Sequence, residues 1–89
     1  MKKELRQALS RLRKAQDAIF NNKLEGDPSL EIIAHGAKLS GASWATICAH
    51  QHNGVKCENT IICYIDENYT PEKMNEELEK ISAFLNYTI

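Results

Sequence analysis

Cys48, His50, His52 and Cys57 form the densest group of metal-ligating and nucleophilic side chains in the sequence. Thiolate and imidazole are the ligands zinc prefers, so two or three of these four could hold a zinc ion. The spacing is not that of a zinc finger or knuckle. In an extended chain the Cα atoms of Cys48 and His52 also stand about 13 Å apart, too far for both to join one closed tetrahedral site. A thiol beside an imidazole, Cys57 with His50, is the arrangement that makes a thiolate nucleophile. Glu31 is the one acid that pairing of neighbouring strands would bring toward His50, and no oxyanion pocket is legible. Free cysteine is more commonly a small buried hydrophobe. Neither catalysis nor a cofactor is therefore expected, and no phosphate loop, G-x-G-x-x-G or paired-carboxylate signature is present.

Charge is the next chemistry. The chain of 89 residues carries a net charge of −1, unevenly spread. Residues 1–24 hold Lys2, Lys3, Arg6, Arg11, Arg13, Lys14 and Lys23 against Glu4 and Asp17. Residues 66–80 hold Asp66, Glu67, Glu72, Glu76, Glu77 and Glu79 against Lys73 and Lys80. Arg6, Arg11, Arg13 and Lys14 suit a helix that tracks phosphates, so nucleic acid is one candidate partner. Glu72, Glu76, Glu77 and Glu79 suit an acidic face that imitates nucleic acid toward a basic protein. The plainer expectation is two solvated faces whose opposite charges come from one polypeptide.

These residues need elements to hold them. Leu5, Leu12 and Ile19 recur every seven residues with Ala8 and Ala15 between them, which predicts a helix from Lys2 to about Lys23. Asn21-Asn22 and Glu25-Gly26-Asp27-Pro28 end it. Thr70 is a good N-cap, Pro71 suits the first helical position, and Met74, Leu78, Ile81 and Leu85 follow at helical spacing, with Phe84 widening the stripe. Thr60 to Ile65 is β-branched and aromatic, hence a strand.

Residues 30–54 admit two structures. Ala37, Gly41 and Ile47 fall at the spacing of the buried alanine, turn glycine and buried aliphatic of a helix-turn-helix. Gly41-Ala42-Ser43-Trp44-Ala45-Thr46-Ile47 resembles the turn and recognition-helix start of LacI-type and phage repressors. The resemblance spans residues 33–52 and implies DNA binding, with Ser43, Trp44, Thr46, His50 and Gln51 at the bases. Gly41 to Val55 contains no Lys or Arg, so phosphate neutralisation would fall to the basic first helix. The alternative is a meander with strands Leu30–Leu39, Ala42–His52 and Val55–Ile65, turning at Ser40-Gly41 and at Asn53-Gly54, a strong hairpin signal. Two-residue loops then set Trp44 opposite Ala37 and Cys63, Ile47 opposite Ala34 and Thr60, and His50 opposite Cys57. One face would carry Ile33, Ala37, Leu39, Trp44, Cys48, Ile61, Cys63 and Ile65, with Trp44 as core before contact. The other would carry Ile32, Ala34, Ala45, Ala49, Ile62 and Tyr64. The order α-β-β-β-α is also that of double-stranded-RNA-binding domains, but Pro71-Glu72-Lys73-Met74-Asn75-Glu76-Glu77 places acid where those domains grip phosphate.

The meander is the favoured expectation: an α+β fold, α-β-β-β-α, with a three-stranded antiparallel sheet flanked by N- and C-terminal helices in a single domain, residues 1–89. Ordinary composition (43% hydrophobic, 26% charged) argues for a globular chain. Short apolar runs leave nothing to span a membrane, and three cysteines do not make a secreted disulfide framework, so a cytoplasmic protein is expected. A chain this short buries only about 60–65% of its unfolded surface and gains from oligomerising. Narrow helical stripes and two apolar sheet faces predict a homodimer or higher oligomer. The expected function is a non-enzymatic regulatory or inhibitory protein, of the kind phages and mobile elements encode, that binds a protein partner. A helix-turn-helix transcriptional regulator and a zinc-dependent structural module are the alternatives.

Overall fold

A computed structural model describes residues 2–36 and 43–89. The element order is α1 (Lys3–Phe20), β1 (Pro28–Gly36), β2 (Ser43–Asn53), β3 (Lys56–Asp66) and α2 (Pro71–Leu85), an α+β arrangement. The strands form an antiparallel sheet in the order β1-β2-β3. Residues 33–36 and 43–52 are therefore strand, and the helix-turn-helix expected as the alternative for residues 33–52 is corrected. Ser43, Trp44, Thr46, His50 and Gln51 lie along an extended strand and are not presented on a recognition helix. Alternating burial along β2, with Ser43, Ala45, Ile47 and Ala49 buried and Trp44, Thr46, Cys48 and His50 less so, is the period-two pattern a half-covered strand requires. The ends expected at Ala37–Leu39, the Ser40-Gly41 turn and Ala42 lie outside the described residues.

Both helices lie on one side of the sheet. Leu5, Ala8, Leu9, Leu12 and Ala15 of α1 and Met74, Leu78, Ile81 and Leu85 of α2 meet Leu30, Ala45, Ile47, Ala49, Cys63 and Ile65 in one core. Leu9 and Ala18 widen the α1 stripe beyond the expected seam. Each stripe is thus spent within the protomer on the sheet, and neither argues for a second subunit. Helix α1 ends at Phe20, three residues short of expectation, where Asn22 takes a left-handed φ of 54°. Thr70 caps α2 as its sequence implies, its side chain accepting from the Lys73 N–H at 3.2 Å.

The register departs from expectation in two steps. The second hairpin turns on Gly54-Val55, flanked by Asn53 and Lys56. Only Gly54 has positive φ, +66°, which is the Gly-X form of primed turn rather than the Asn-Gly form. Glu58 then stands unpaired between Cys57, opposite His52, and Asn59, opposite Gln51, as a β-bulge. That one extra residue reverses the parity of β3. Ile47 pairs with Ile32 and Cys63, and Trp44 with His35 and Asp66, not with Ala37 and Cys63. The physical gain is plain: the bulge turns Ile61, Cys63 and Ile65 to the helix side, where they join Ala45, Ile47 and Ala49 in the core.

Candidate functional site

The same parity leaves the other sheet face bare. Across the strands it presents four rows: Ser29-His50-Thr60, Glu31-Cys48-Ile62, Ile33-Thr46-Tyr64 and His35-Trp44-Asp66. Ile33 is 41% exposed, Trp44 37%, and Ile62 and Tyr64 54% each. Apolar side chains from all three strands therefore meet water in adjacent rows. Trp44 is corrected from core to surface, its ring stacked on His35 with centroids 4.6 Å apart. Among the described residues, no Lys or Arg belongs to these rows, and Glu31 and Asp66 sit on the two outer strands. An apolar field across all three strands, with carboxylates only at Glu31 and Asp66, is a patch that a folded chain rarely leaves in water.

At the hairpin end of this face the sequence-predicted Cys-His group is assembled in part. His50 is opposite Thr60, not Cys57, but the bulge still brings Cys57 Sγ within 3.5 Å of His50 Nδ1. Thr60 Oγ1 lies 2.7 Å from the same nitrogen and 3.3 Å from the sulfur. His52 turns to Ser29, whose Oγ lies 3.1 Å from Nε2. Cys48 lies in the next row, opposite Ile62, and makes no hydrogen bond with them. Among the described residues, no three His, Cys, Asp or Glu side chains converge to hold a metal. Cys63 lies on the core side and is buried. Burial and then the neighbouring Glu77 carboxylate push its ionisation up, so it stays a thiol.

The charged candidates divide. Arg6, Arg13 and Lys14 are exposed and line a concavity of about 490 Å³ with Leu9, Ser10, Asp17 and Ala34. Arg11 is turned instead toward α2, donating to Asn75 Oδ1 at 3.4 Å and to the Ile89 carbonyl at 2.8 Å. Glu72, Glu76 and Glu79 are exposed on α2, but Glu77 is buried. Its carboxylate lies 3.3 Å from Lys73 Nζ and 3.2 Å from Lys80 Nζ. Burial alone would raise its pKa; the hydrogen bonds and charges of Lys80 and Lys73 outweigh burial and hold it below the ordinary carboxylate value. Glu77 thus contributes stability above that ordinary value and loses it as pH falls through the lowered one. Both lysines are largely in water, so Glu77→Gln is expected to cost only about 1 kcal/mol at neutral pH. Urea midpoints of the variant and native chain should converge on acidification, and a gap that persists in acid would refute the ion-pair account.

Sequence reasoning missed Ile33, Ile62 and Tyr64 as surface, and it missed Glu67 altogether. Glu67 lies in the loop after β3, buried, with its Oε1 accepting from the Ser43 N–H and its Oε2 from the Lys2 N–H, both at 3.2 Å. The signal for the bare face was present: Thr60 to Ile65 is apolar at both parities, and a strand with two apolar sides needs two coverings.

With this geometry in hand, likeness to other proteins adds nothing. No protein-family model, no curated protein and no solved structure matches the chain. Among the described residues, no helix is long and apolar enough to cross a membrane.

Proposed function

We propose that this chain is a non-enzymatic, cytoplasmic regulatory protein that binds another protein chain through the bare face of its sheet. The carrying observation is the field of Ile33, Trp44, Ile62 and Tyr64, exposed together across three strands. Burying such a field is favourable by about 25 cal/mol per Å² of apolar surface, whatever presses against it. Charge selects the class of partner. Single-stranded nucleic acid is held by aromatic platforms combined with a positively charged groove. Here the aromatics are accompanied by Glu31 and Asp66, which repel phosphate. The Cys57-His50 pair lies on the exposed strand surface at the rim of the field, outside its apolar part.

The test is site-directed photocrosslinking in the cells that encode the chain. A benzophenone amino acid replacing Thr46, at the centre of the field, is expected to give discrete protein adducts. The same group replacing Glu79 on the exposed side of α2 serves as the comparison. Adducts from position 79 with none from position 46 would overturn the reading, as would nucleic acid recovered at position 46.

A further inference from the structure

Resting on that reading, we infer that the protein covering the bare face is a second copy of this chain, packed sheet against sheet about a two-fold axis near Thr46. The area is right for it. Ile33, Trp44, Ile62 and Tyr64 alone expose roughly 400 Å², and the other outward residues, with Glu31 and Thr60 exposed and the rest half-buried, bring the face to roughly 600–1,000 Å² per protomer. Two such faces bury roughly 1,200–2,000 Å² in all, the size of a standard specific interface. The face covers nearly the whole breadth of the sheet, so a partner must itself be broad and flat, as an identical sheet is. Two twisted sheets pack about 10 Å apart with their inner side chains interleaved, and three-stranded faces of this length suit that geometry.

Composition points the same way. An isologous contact sets each residue near its own kind or its two-fold mate, so a patch dense in one charge opposes itself. The centre of this face, Thr46 with Ile33, Tyr64, Cys48 and Ile62, carries no charge, and Glu31 and Asp66 stand at the ends of their rows, on opposite sides of the sheet. A strongly charged heterologous partner would find no counter-charge there. The pairing also puts α1 and α2 on the outside of the dimer, with their charged faces in solvent, and gives a small domain the second apolar layer it lacks.

Sedimentation of the full chain under reducing conditions, from about 1 to about 200 μM, is the experiment, with dissociation expected at or below about 10 μM. The expected species at the upper end has twice the chain mass. Emission of Trp44, the sole tryptophan, should shift on dilution through the same midpoint. Alkylation of Cys48 should slow at least tenfold in the dimer, while Cys57 at the rim keeps reacting as an internal control. Ile62→Lys and Tyr64→Lys, at exposed positions, should each weaken self-association at least tenfold with the far-ultraviolet dichroism unchanged. A monomer at every concentration overturns the inference, and so does a dimer in which Cys48 alkylation and both lysine variants are unaltered. Should the chain be monomeric while Thr46 still crosslinks to a different protein, the dimer fails and the proposed function stands. Absence of both dimer and Thr46 adducts removes the two together.

Discussion

Ile47→Ala is expected to cost about 3 kcal/mol, and to leave the domain near the edge of folding. Ile47 is fully buried at the middle of the central strand, between Ile32 and Cys63, with residues of both helices in the same cluster. Deleting its outer methyl groups removes their transfer free energy and leaves a cavity that a β-strand, pinned by ladders on both sides, cannot collapse to fill. A chain of 89 residues has a net stability of about 4–13 kcal/mol at the usual per-residue value, so the loss is a large share of the whole. Ile62→Ala is the matched control. The same chemical change on the bare face, at a side chain already half in water, should cost under about 1 kcal/mol in a dilute monomer. Urea denaturation at low concentration measures both. Equal midpoints for the two variants would mean that β3 carries the opposite parity and that the bulge at Glu58 is misplaced.

That contrast turns on the feature the sequence showed least well. Element order was legible because each cue was local: heptad leucines for α1, the Thr70-Pro71 cap for α2, a β-branched run for β3. Register was not, because it depends on which two residues make the hairpin loop and on one bulged glutamate. Asn53-Gly54 carries a strong turn signal, yet the turn uses Gly54-Val55, since positive φ is needed at Gly54 alone. Normally the hydrophobic pattern corrects such an error, because a slip of one residue moves an apolar face into water. Here Ile61 and Ile62 are both apolar, as are Cys63 and Tyr64, so either parity buries something. Trp44 was drawn to the core by its size, and only the pairing places it outside. The same short apolar runs with small residues explain why residues 33–52 also resembled a helix-turn-helix.

The functional candidates were legible in kind and not in arrangement. His50 and Cys57 do meet, at 3.5 Å, although the Gly54-Val55 turn and the bulge set His50 opposite Thr60 and not opposite Cys57. Of the acidic residues on α2, Glu77 alone is buried, and its position at the edge of the Met74-Leu78-Ile81 stripe was the available clue. Of the basic residues on α1, Arg11 alone reaches across to the C-terminal segment. The bare face was implied by a strand apolar on both sides, but the number of helices that two faces would need, against the one face that two helices can cover here, emerges only from the fold.

Glu67→Ala is the second large effect, expected at about 2–3 kcal/mol from a residue that reads in the sequence as ordinary loop. The carboxylate joins three places distant in sequence. Its Oε1 accepts from the Ser43 N–H where β2 begins, and its Oε2 from the Lys2 N–H at the start of α1. Its own N–H donates to the Ser43 carbonyl at 3.0 Å, continuing the ladder past the end of β3. Lys2 offers α1 no side-chain cap, so the negative charge of Glu67 also stands near the positive end of that helix. Removing it leaves two amides without their acceptor, one of them on a buried residue, and the penalty of an unmade hydrogen bond exceeds the worth of a made one. Glu67→Gln keeps an acceptor oxygen for one amide and should cost about half as much, whereas Glu79→Ala on the exposed side of α2 should stay within about 0.5 kcal/mol. Thermal melts rank the three, and amide exchange locates the loss, with the Ser43 N–H expected to lose protection first. If Glu67→Ala and Glu79→Ala melt alike, the carboxylate does not hold α1 to the sheet, and the entry of the chain into β2 must be fixed by its backbone ladder alone.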